Sequence, residues 1–427
     1  KKLIPSLITD EWQKSNNGYS YNYLNWNWMN ENYFTYTRNW GAHHFTGMAG
    51  MSVQKWYYEN ENIAGMNAST DYIYTLNAFA ANLDLSATGS VETRHSLASF
   101  YTRITYDYLR RYLLTLNVRR DGSSRFAKNN KWGNFPSASL AWELTKTPIV
   151  NVVANTFQSL KLRASYGVTG RSDFSAYMST PTYTANGAYL MDGQWVTGYA
   201  PSSNVNSMLG WEKSKAFNIG VDFEALGSRL RGSVEYFDRR SEDLLYNYTA
   251  PQPPFVWDNI LVNVGTTKNA GFELSLNYDV FAKKDFRWTT GVNYSYGTTK
   301  FVKLSNDIYK ASYIDLYQKP GAGANEYFFR VQEGGKVGQF WGYEYAGYDE
   351  NGNMLVYNKD NEKVLTTNVD ASDKRYIGNG APSHFLSWNN SFRYKNWDLS
   401  VAMNGAFGFD IFNMRKYGMG LQLCGTD

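Results

Sequence analysis

The chain has 427 residues, of which 43% are hydrophobic and 17% aromatic, and its formal net charge is +4. So small a charge gives no reason to expect a nucleic-acid groove, and the lack of any run near about 18 apolar residues excludes a transmembrane helix. The single cysteine, Cys424, excludes an intramolecular disulfide.

The first predicted strands lie near residues 32–39 and 43–55, and the clearest unit follows at 97–120. Apolar and polar residues alternate along its first strand, and the alternation resumes after a short turn at 109–111. The apolar face consists of Ala98, Phe100, Thr102, Ile104, Tyr106 and Tyr108, then Tyr112, Leu114, Leu116 and Val118. Because successive side chains point to opposite faces of a strand, this unit is a β-hairpin with one apolar and one polar face.

The same alternation recurs along the rest of the chain. It predicts strands at 138–144 and 160–168 and further hairpins at 217–236, 272–296 and 386–407. In the hairpin at 272–296, the apolar face of the first strand ends at Val280. The chain therefore contains about twelve strands, most of them near the ten residues that a tilted membrane strand needs.

Connections between these strands alternate between short and long. Clear short turns are predicted at residues 109–111, 225–228, 282–285 and 395–396, with an intermediate connection at 145–158. Long loops are predicted at about residues 57–96, 121–136, 169–211, 241–269 and 300–383. Short turns at one end and long loops at the other are typical of outer-membrane barrels, which places the long loops outside the cell.

Aromatic pairs bracket the short turns: Tyr108 with Tyr112, Tyr278 with Trp288, and Tyr394 with Trp397. Such pairs resemble the aromatic girdle of a barrel at one membrane surface. The predicted fold is therefore all-β, a transmembrane antiparallel β-barrel. Because open strand edges cannot lie in hydrocarbon, a spanning sheet must close. Twelve strands could close by themselves, but the ragged chain ends favour an arc of a larger barrel, and we expect both ends to be truncations.

Six phrases, in order over about residues 100–410, resemble the SusC/RagA family of TonB-dependent outer-membrane transporters. They are Arg120-Asp121-Gly122-Ser123-Ser124-Arg125-Phe126 with Phe135-Pro136-Ser137 and Ala141-Trp142; Leu160-Lys161-Leu162-Arg163-Ala164-Ser165-Tyr166-Gly167; Leu209-Gly210-Trp211-Glu212 with Asn218-Ile219-Gly220-Val221-Asp222; Asn263-Val264-Gly265 with Asn269-Ala270-Gly271-Phe272-Glu273; Gly335, Gly338, Phe340, Gly342 and Tyr343; and Ile377-Gly378-Asn379 with Pro382.

The resemblance implies a barrel of about 22 strands with an N-terminal plug that is not in this chain. It implies a SusD-like surface lipoprotein that acts as a lid, and energy from the TonB–ExbB–ExbD complex through the N-terminal region. We therefore expect a multi-pass outer-membrane importer, surrounded by lipid, for an oligosaccharide or an oligopeptide. No bond is broken in such import, so we predict no enzyme.

Aromatic residues in two long loops are the candidate cargo or lid contacts. They are Tyr183, Tyr189, Trp195 and Tyr199 in loop 169–211, and Tyr246, Tyr248, Phe255 and Trp257 in loop 241–269. Aromatic faces can stack on sugar rings, grip peptide side chains or pack against a lid protein. For any single residue, packing against the lid or within the loop is favoured over contact with cargo.

Charged residues on the polar face could line a cargo path, although a hydrated wall that packs against a plug is the simpler interpretation. They are Arg103, Asp107, Arg163, Arg231, Glu235, Glu273 and Arg287. The four histidines have no zinc-ligand spacing, and His43-His44 is interpreted as the start of a strand rather than a metal pair. We predict no catalytic residue, metal site, cofactor or nucleic-acid partner.

Two alternatives are left open by the sequence. A passive porin or adhesin barrel would share the strand pattern but would lack a plug and a TonB-contacting segment. A soluble glycan-binding β protein would instead bury the apolar faces in a sandwich.

Overall fold

The computed structural model describes residues 2–4, 17–68, 72–73, 75–79, 82–147, 156–306, 308–318, 327–413 and 415, so Cys424 lies outside the described residues. Nearly all regular structure in these ranges is β-strand. Short 3-10 helices occur at Leu76–Phe79, Leu144–Lys146, Thr366–Asn368 and Ala371–Asp373. Within the same ranges, no helix has the length and apolar character needed to cross a membrane.

The strands are, in chain order, β1 (Lys2–Ile4), β2 (Asn17–Trp40), β3 (His43–Met66), β4 (Gly89–Tyr108), β5 (Tyr112–Ser123), β6 (Trp132–Glu143), β7 (Phe157–Arg171), β8 (Tyr183–Met191), β9 (Gln194–Pro201), β10 (Glu212–Ala225), β11 (Leu230–Glu242), β12 (Leu245–Thr249), β13 (Asn259–Asn263), β14 (Thr266–Ala282), β15 (Phe286–Lys303), β16 (Tyr313–Gln318), β17 (Tyr327–Gln332), β18 (Gln339–Gly342), β19 (Tyr345–Tyr348), β20 (Met354–Tyr357), β21 (Lys363–Leu365), β22 (Arg375–Asn379), β23 (His384–Tyr394) and β24 (Trp397–Phe407).

Thirteen of these described strands form one antiparallel sheet. Its order is β1 to β7, β10, β11, β14, β15, β23 and β24, and each strand pairs with the next. Apart from the three-residue β1, the strands are 11 to 24 residues long. The prediction of about twelve long alternating strands is therefore confirmed.

The first hairpin is longer than the sequence predicted. β2 and β3 pair over 24 residues each, from Asn17 with Met66 to Trp40 with His43. The apolar residues of β2 change face along the strand, because Tyr23 and Trp26 lie on opposite sides of the sheet. Alternation with apolar residues on a single face therefore predicts only part of each of these two strands.

Connection lengths separate the two ends of the sheet. At one end, here called the turn end, strands are joined by residues 41–42, 109–111, 144–156, 226–229, 283–285 and 395–396. At the other end, the loop end, they are joined by residues 67–88, 124–131, 172–211, 243–265 and 304–383. Successive strands run in opposite directions, so each set of connections lies together. The one irregularity is that 144–156 is longer than 124–131.

The turn at 109–111 shows how a short connection closes. Leu109 and Arg110 have positive φ angles of 57° and 52°, and Arg111 N donates to Tyr108 O at 3.0 Å. Asp107 Oδ1 accepts a hydrogen bond from Arg110 N at 2.6 Å. Left-handed backbone at the turn matches the right-handed twist of the two strands, so a tight hairpin forms without glycine.

The apolar face of the sheet is the exposed one. Leu140, Ile219 and Leu399 are 60%, 50% and 59% exposed, and each lies on the face that the alternation predicted to be apolar. Charged and amide side chains on the opposite face instead bond to one another across the strands. A soluble sandwich would reverse this arrangement, because it would cover the apolar face.

Residues paired in register across neighbouring strands also show how the strands are staggered. The row that starts at Trp40 and His43 beside the turn end passes through Tyr112, and it reaches Leu386 near the loop end. Between these strands it runs through Trp142, Leu162, Val221, Val234, Leu274 and Tyr294. A row that climbs in this way is the shear that tilted barrel strands require.

A β-bulge modifies the apolar face near the turn at 283–285. The register shifts between Asp279 and Phe281, so Phe281 pairs with Trp288 and joins the face to which the alternation assigned Val280. Arg229 holds the bulge, because its Nε donates to Asp279 O at 3.0 Å and its Nη2 donates to Val280 O at 2.6 Å.

Buried apolar side chains in the described chain concentrate among the connections at the loop end. One cluster contains Phe126, Phe135, Leu209, Trp211 and Leu261, and a second contains Ala250, Ile260, Val262 and Val264. Connection 304–383 carries its own small sheets, β16-β17-β18-β22 and β19-β20-β21. The loop end is therefore a packed assembly that stands on the sheet.

Candidate functional site

The structure divides the eight predicted loop aromatics into two groups. Tyr183, Tyr189, Trp195 and Tyr199 lie on the β8–β9 hairpin and are 66%, 53%, 74% and 72% exposed. No residue of β8 is buried, so this two-stranded hairpin presents both faces to the outside. Large apolar side chains on an isolated hairpin are typical of a surface that a partner or ligand covers.

The second group is mostly packed. Tyr246, Tyr248 and Phe255 pack against the cluster around Val262. Tyr248 also donates from Oη to Lys310 O at 2.8 Å, and burial raises the pKa of the Tyr246 hydroxyl. These three residues hold loop 243–265 together and are poorly placed for direct contact with a ligand.

Trp257 joins the two groups. Its Nε1 donates to Pro201 O at 3.0 Å, at the end of β9. The amide of Asn204 donates to Trp257 O at 2.7 Å and to Asn259 O at 2.8 Å, while Asn204 Oδ1 accepts from Trp257 N at 3.3 Å. These four bonds fix the base of the β8–β9 hairpin to the β12–β13 connection.

Two further asparagines extend this attachment. Asn206 Nδ2 donates to Leu261 O at 2.9 Å. Asn263 accepts from Gly210 N at 2.7 Å and donates to Gly210 O at 2.9 Å. Side-chain amides thus replace a backbone ladder between segment 204–210 and β13, which gives the exposed hairpin a defined position.

The polar face of the sheet carries a continuous charge network. Arg163 Nε lies 3.1 Å from Asp222 Oδ1, and its Nη1 lies 2.5 Å from Glu235 Oε2. Lys161 Nζ lies 3.0 Å from Asp222 Oδ2. Arg163 and Glu235 were predicted from the alternation. The roles of Lys161 and Asp222 were missed, because ion pairs between strands depend on register, which one sequence does not reveal.

A second polar group lines a concavity of about 620 Å³ on the same face of the sheet. Tyr101 Oη donates to Glu31 Oε1 at 2.7 Å, and the Arg119 guanidinium lies 5.5 Å from the Tyr101 ring centre. Arg119 also pairs with Asp121 at 2.8 Å. This arrangement combines an aromatic surface with charges of both signs on a hydrated wall.

Of the other polar-face charges predicted, Arg103 donates to Asn117 Oδ1 at 2.7 Å and Arg231 lies 3.2 Å from Asp279. Asp107 is used in the turn described above. Arg287 pairs in register with Ala282 and Arg393 on the neighbouring strands. These contacts join neighbouring strands, which favours the interpretation of these charges as part of a hydrated wall.

An aromatic belt runs around the turn end. Ring centres of Trp40 and His43 lie 5.5 Å apart, those of His43 and Tyr108 lie 4.7 Å apart, and those of Tyr108 and Tyr112 lie 6.4 Å apart. Trp142 continues the row at 6.1 Å from Tyr112. Tyr394 and Trp397 pair in register, whereas Trp288 contacts Phe281 because of the bulge.

The histidine pair begins β3, as predicted. His43 Nδ1 lies 2.7 Å from Tyr106 Oη, and His44 Nδ1 lies 2.9 Å from Asn39 Oδ1. Consecutive strand residues point to opposite faces, so the two rings do not converge. In the part of the chain that the structure describes, no group of three or more His, Cys, Asp or Glu residues could hold a metal ion.

Comparison with known proteins gives a consistent result. The profile of the family described as "TonB dependent receptor-like, beta-barrel" matches residues 6–404. TonB-dependent receptor P39 of Formosa agariphila is 31% identical over 434 residues, covering 91% of this chain and 40% of the relative. TonB-dependent receptor SusC of Bacteroides thetaiotaomicron is 30% identical over 383 residues, covering 88% and 37%.

Among solved structures, the RagAB peptide transporter superposes with a TM-score of 0.80 at 23% identity, covering 97% of this chain and 44% of that chain. The RagAB peptide importer in its "closed-closed" state gives 0.77 at 23% identity, covering 92% and 42%. At this identity the likeness shows the fold. The chain spans about two fifths of the length of the relatives that it matches.

Proposed function

The chain belongs to the TonB-dependent receptor-like β-barrel family, and from that membership we propose that it forms part of the barrel wall of an energised nutrient importer. Proteins of this family are outer-membrane receptors and transporters that cross the membrane with strands, and they are not enzymes. The exposed apolar side of the sheet contacts lipid, and the polar side surrounds an aqueous lumen.

The arrangement of the two faces of the sheet, apolar side chains exposed and charged side chains paired on the opposite face, carries this proposal. Its apolar side chains are exposed, as at Ile219, while its charges pair on the other face, as at Arg163 and Asp222. Lipid supplies the missing cover for the apolar face, and the aromatic belt at the turn end marks the membrane surface on that side. We assign the turn end to the periplasm and the loops at about 57–96, 121–136, 169–211, 241–269 and 300–383 to the cell exterior.

A SusD-like lipoprotein is the proposed lid. The exposed aromatics of the β8–β9 hairpin, led by Trp195 and Tyr199, offer the kind of side chains that dominate protein interfaces. The Asn204 attachment supports this role, because a fixed hairpin loses less conformational entropy on docking. Tyr183 and Tyr189 complete the proposed contact surface, whereas Tyr246, Tyr248, Phe255 and Trp257 support it from below.

Energy from TonB–ExbB–ExbD drives the proposed import, through a plug that the full-length protein supplies. The cargo is a large nutrient, either an oligosaccharide or an oligopeptide. A solved neighbour of the same fold is described as a peptide importer, which makes a peptide a reasonable first cargo to test.

Uptake measurements in cells test the proposal against a passive barrel. Cells that carry the full-length protein should accumulate labelled oligosaccharide or oligopeptide, and deletion of the TonB gene should abolish accumulation. A second culture treated with a protonophore should behave in the same way. Uptake that persists after both treatments would identify a passive porin instead.

A further inference from the structure

A shallow groove of about 720 Å³ lies on the apolar face of the sheet, across strands β4 to β7, β10 and β11. Its floor is at Ala164 on β7, which pairs in register with Leu140 on one neighbouring strand and with Ile219 on the other. Both of those larger side chains are exposed and line the groove. A small side chain between two large ones therefore leaves a depression in the face that contacts lipid.

The shape of the groove is a property of the sheet itself. Every strand that lines it is hydrogen-bonded to a neighbour on both sides, so the depression is not the edge of an incomplete sheet. Two residues beyond Ala164 on β7, Tyr166 restores a large side chain and pairs in register with Phe217. Neither of these aromatic residues lines the groove, so the depression ends before it reaches them.

At its other end, the groove reaches the aromatic belt. Tyr112 and Trp142 both line it, and their ring centres lie 6.1 Å apart. Trp142 Nε1 donates to Thr147 Oγ1 at 3.0 Å, so the polar edge of this ring is directed to connection 144–156. Amphipathic rings in such a place lie at the level of the lipid headgroups.

Three cationic residues, here called the turn cations, stand next to these two rings in the connections at the turn end: Arg110, Arg111 and Lys146. Lys146 Nζ donates to Arg110 O at 3.4 Å, and Glu143 N donates to Arg111 O at 2.8 Å, so the two connections are in contact. Arg110 and Lys146 are exposed. None of the turn cations forms an ion pair with a residue that the structure describes.

The neighbouring carboxylates are already engaged by other donors. Asp107 Oδ1 accepts from Arg110 N at 2.6 Å, which is a backbone bond and leaves the guanidinium free of it. Glu143 is buried and accepts from Thr145 Oγ1 at 2.6 Å and from Leu160 N at 3.1 Å. By alternation both carboxylates belong to the polar face, so the side with the groove carries unbalanced positive charge.

The depth of the groove matches one leaflet of a bilayer. Ala164 lies seven residues beyond Phe157, where β7 begins. That distance is about 23 Å along a strand and roughly 17 Å across the membrane at the usual tilt. Half of a hydrocarbon core is about 15 Å thick.

We propose that the groove and the turn cations form a binding site for one anionic phospholipid of the periplasmic leaflet. An acyl chain lies over Ala164, and the phosphate meets the guanidinium of Arg110 and the ammonium of Lys146, whose N–H groups suit phosphate oxygens. An apolar groove that ends beside unpaired cations at headgroup level has the same division as such a lipid. The inference rests on the lipid-facing and periplasmic assignments of the proposed function.

Native mass spectrometry of the purified full-length protein tests the site. The probes are dioleoylphosphatidylglycerol and dioleoylphosphatidylcholine, which have the same acyl chains but differ in headgroup charge. The first phosphatidylglycerol molecule should bind about tenfold more tightly than the first phosphatidylcholine molecule, because two cations near the surface attract an anionic headgroup. Equal binding of the two lipids would overturn the proposal.

One pair of variants tests the groove. Ala164→Phe fills the depression with an apolar side chain that lipid tolerates, and it should remove most of the preference for phosphatidylglycerol. Ala138→Phe is the matched control, since Ala138 is exposed on the same face of β6 but does not line the groove. An unchanged preference in Ala164→Phe, or an equal loss in both variants, would contradict a site at this place.

A second pair tests the headgroup and does not alter the apolar face. The double variant Arg110→Gln and Lys146→Gln should abolish the preference. The double variant Lys283→Gln and Lys284→Gln removes the same charge from the exposed turn at 283–285 and should preserve it. Equal loss in both double variants would show a general attraction to the turn end and would overturn the specific site.

Failure of the proposed function gives a different result. Uptake that does not depend on TonB would reject energised import, while the lipid preference persists because a passive barrel has the same lipid-facing side. If the unaltered protein binds neither lipid, the lipid-facing assignment and the site both fail. TonB-dependent uptake with equal binding of the two lipids would reject the site alone.

Discussion

Arg163 and Glu235 form an ion pair although a whole strand lies between them. Arg163 is on β7, Glu235 is on β11, and Gly220 of β10 pairs with both residues in register. A Cβ atom at Gly220 would lie 3.1 Å from Arg163 Cζ and 3.0 Å from Val234 O. The glycine therefore leaves the space through which the guanidinium reaches Glu235 at 2.5 Å.

Replacing that glycine should weaken the wall. Gly220→Val should lower the free energy of unfolding by about 1–3 kcal/mol, since the new side chain displaces Arg163 and overpacks the strand. Urea unfolding in detergent micelles measures the loss. Gly89→Val is the control, because a Cβ at Gly89 meets nothing within 4 Å. Equal stability of the two variants would contradict the proposed need for space at residue 220.

The two faces of β4 should differ in their tolerance of charge. Ile104→Arg places a charge in lipid close to the middle of the crossing and should cost about 2–4 kcal/mol. Thr105→Arg, one residue away, places the same charge in the lumen and should be much milder. Folding titrations into lipid vesicles compare the two variants. Equal losses would show that the faces are wrongly assigned.

The asparagine attachment should control the motion of the β8–β9 hairpin. Asn204→Ala removes three hydrogen bonds to Trp257 and Asn259, so hydrogen exchange of residues 183–201 should accelerate by about tenfold or more. Asn247→Ala on β12 is the control, because the Asn247 side chain makes no hydrogen bond to any described residue. Unchanged exchange in Asn204→Ala would mean that the hairpin is held by other contacts.

Exposed aromatics of the same hairpin should bind the proposed SusD-like lipoprotein. Trp195→Ala and Tyr199→Ala should each weaken co-purification with the lipoprotein, with an affinity loss of about tenfold or more. Thr197→Ala lies between them on the same face of β9 and should have little effect. If all three variants retain the lipoprotein equally, the hairpin has another role, such as direct contact with cargo.

Alternation was enough to predict the strands of the wall, because each crossing segment has a lipid face and a water face. It failed for the outer half of β2 and β3, where the apolar residues do not stay on one face, since Tyr23 and Trp26 lie on opposite sides of the sheet. The bulge at Val280 was also missed, since only the partner strand shows that Phe281 pairs with Trp288.

The candidate site was predicted less completely than the fold. Composition identified Trp195 and Tyr199 as loop aromatics, but it could not separate them from Tyr246 and Phe255, which pack inside the loop assembly. That division depends on contacts between connections that are distant in the chain, such as the bond from Trp257 to Pro201. Ion pairs such as Lys161 with Asp222 depend in the same way on register.

The concentration of buried apolar side chains at the loop end means that two parts of the chain are stabilised by separate means. Strand ladders hold the wall, whereas the clusters around Phe126 and Val262 hold the loops. A substitution inside either cluster should therefore loosen the loop assembly and leave the strand register of the wall intact.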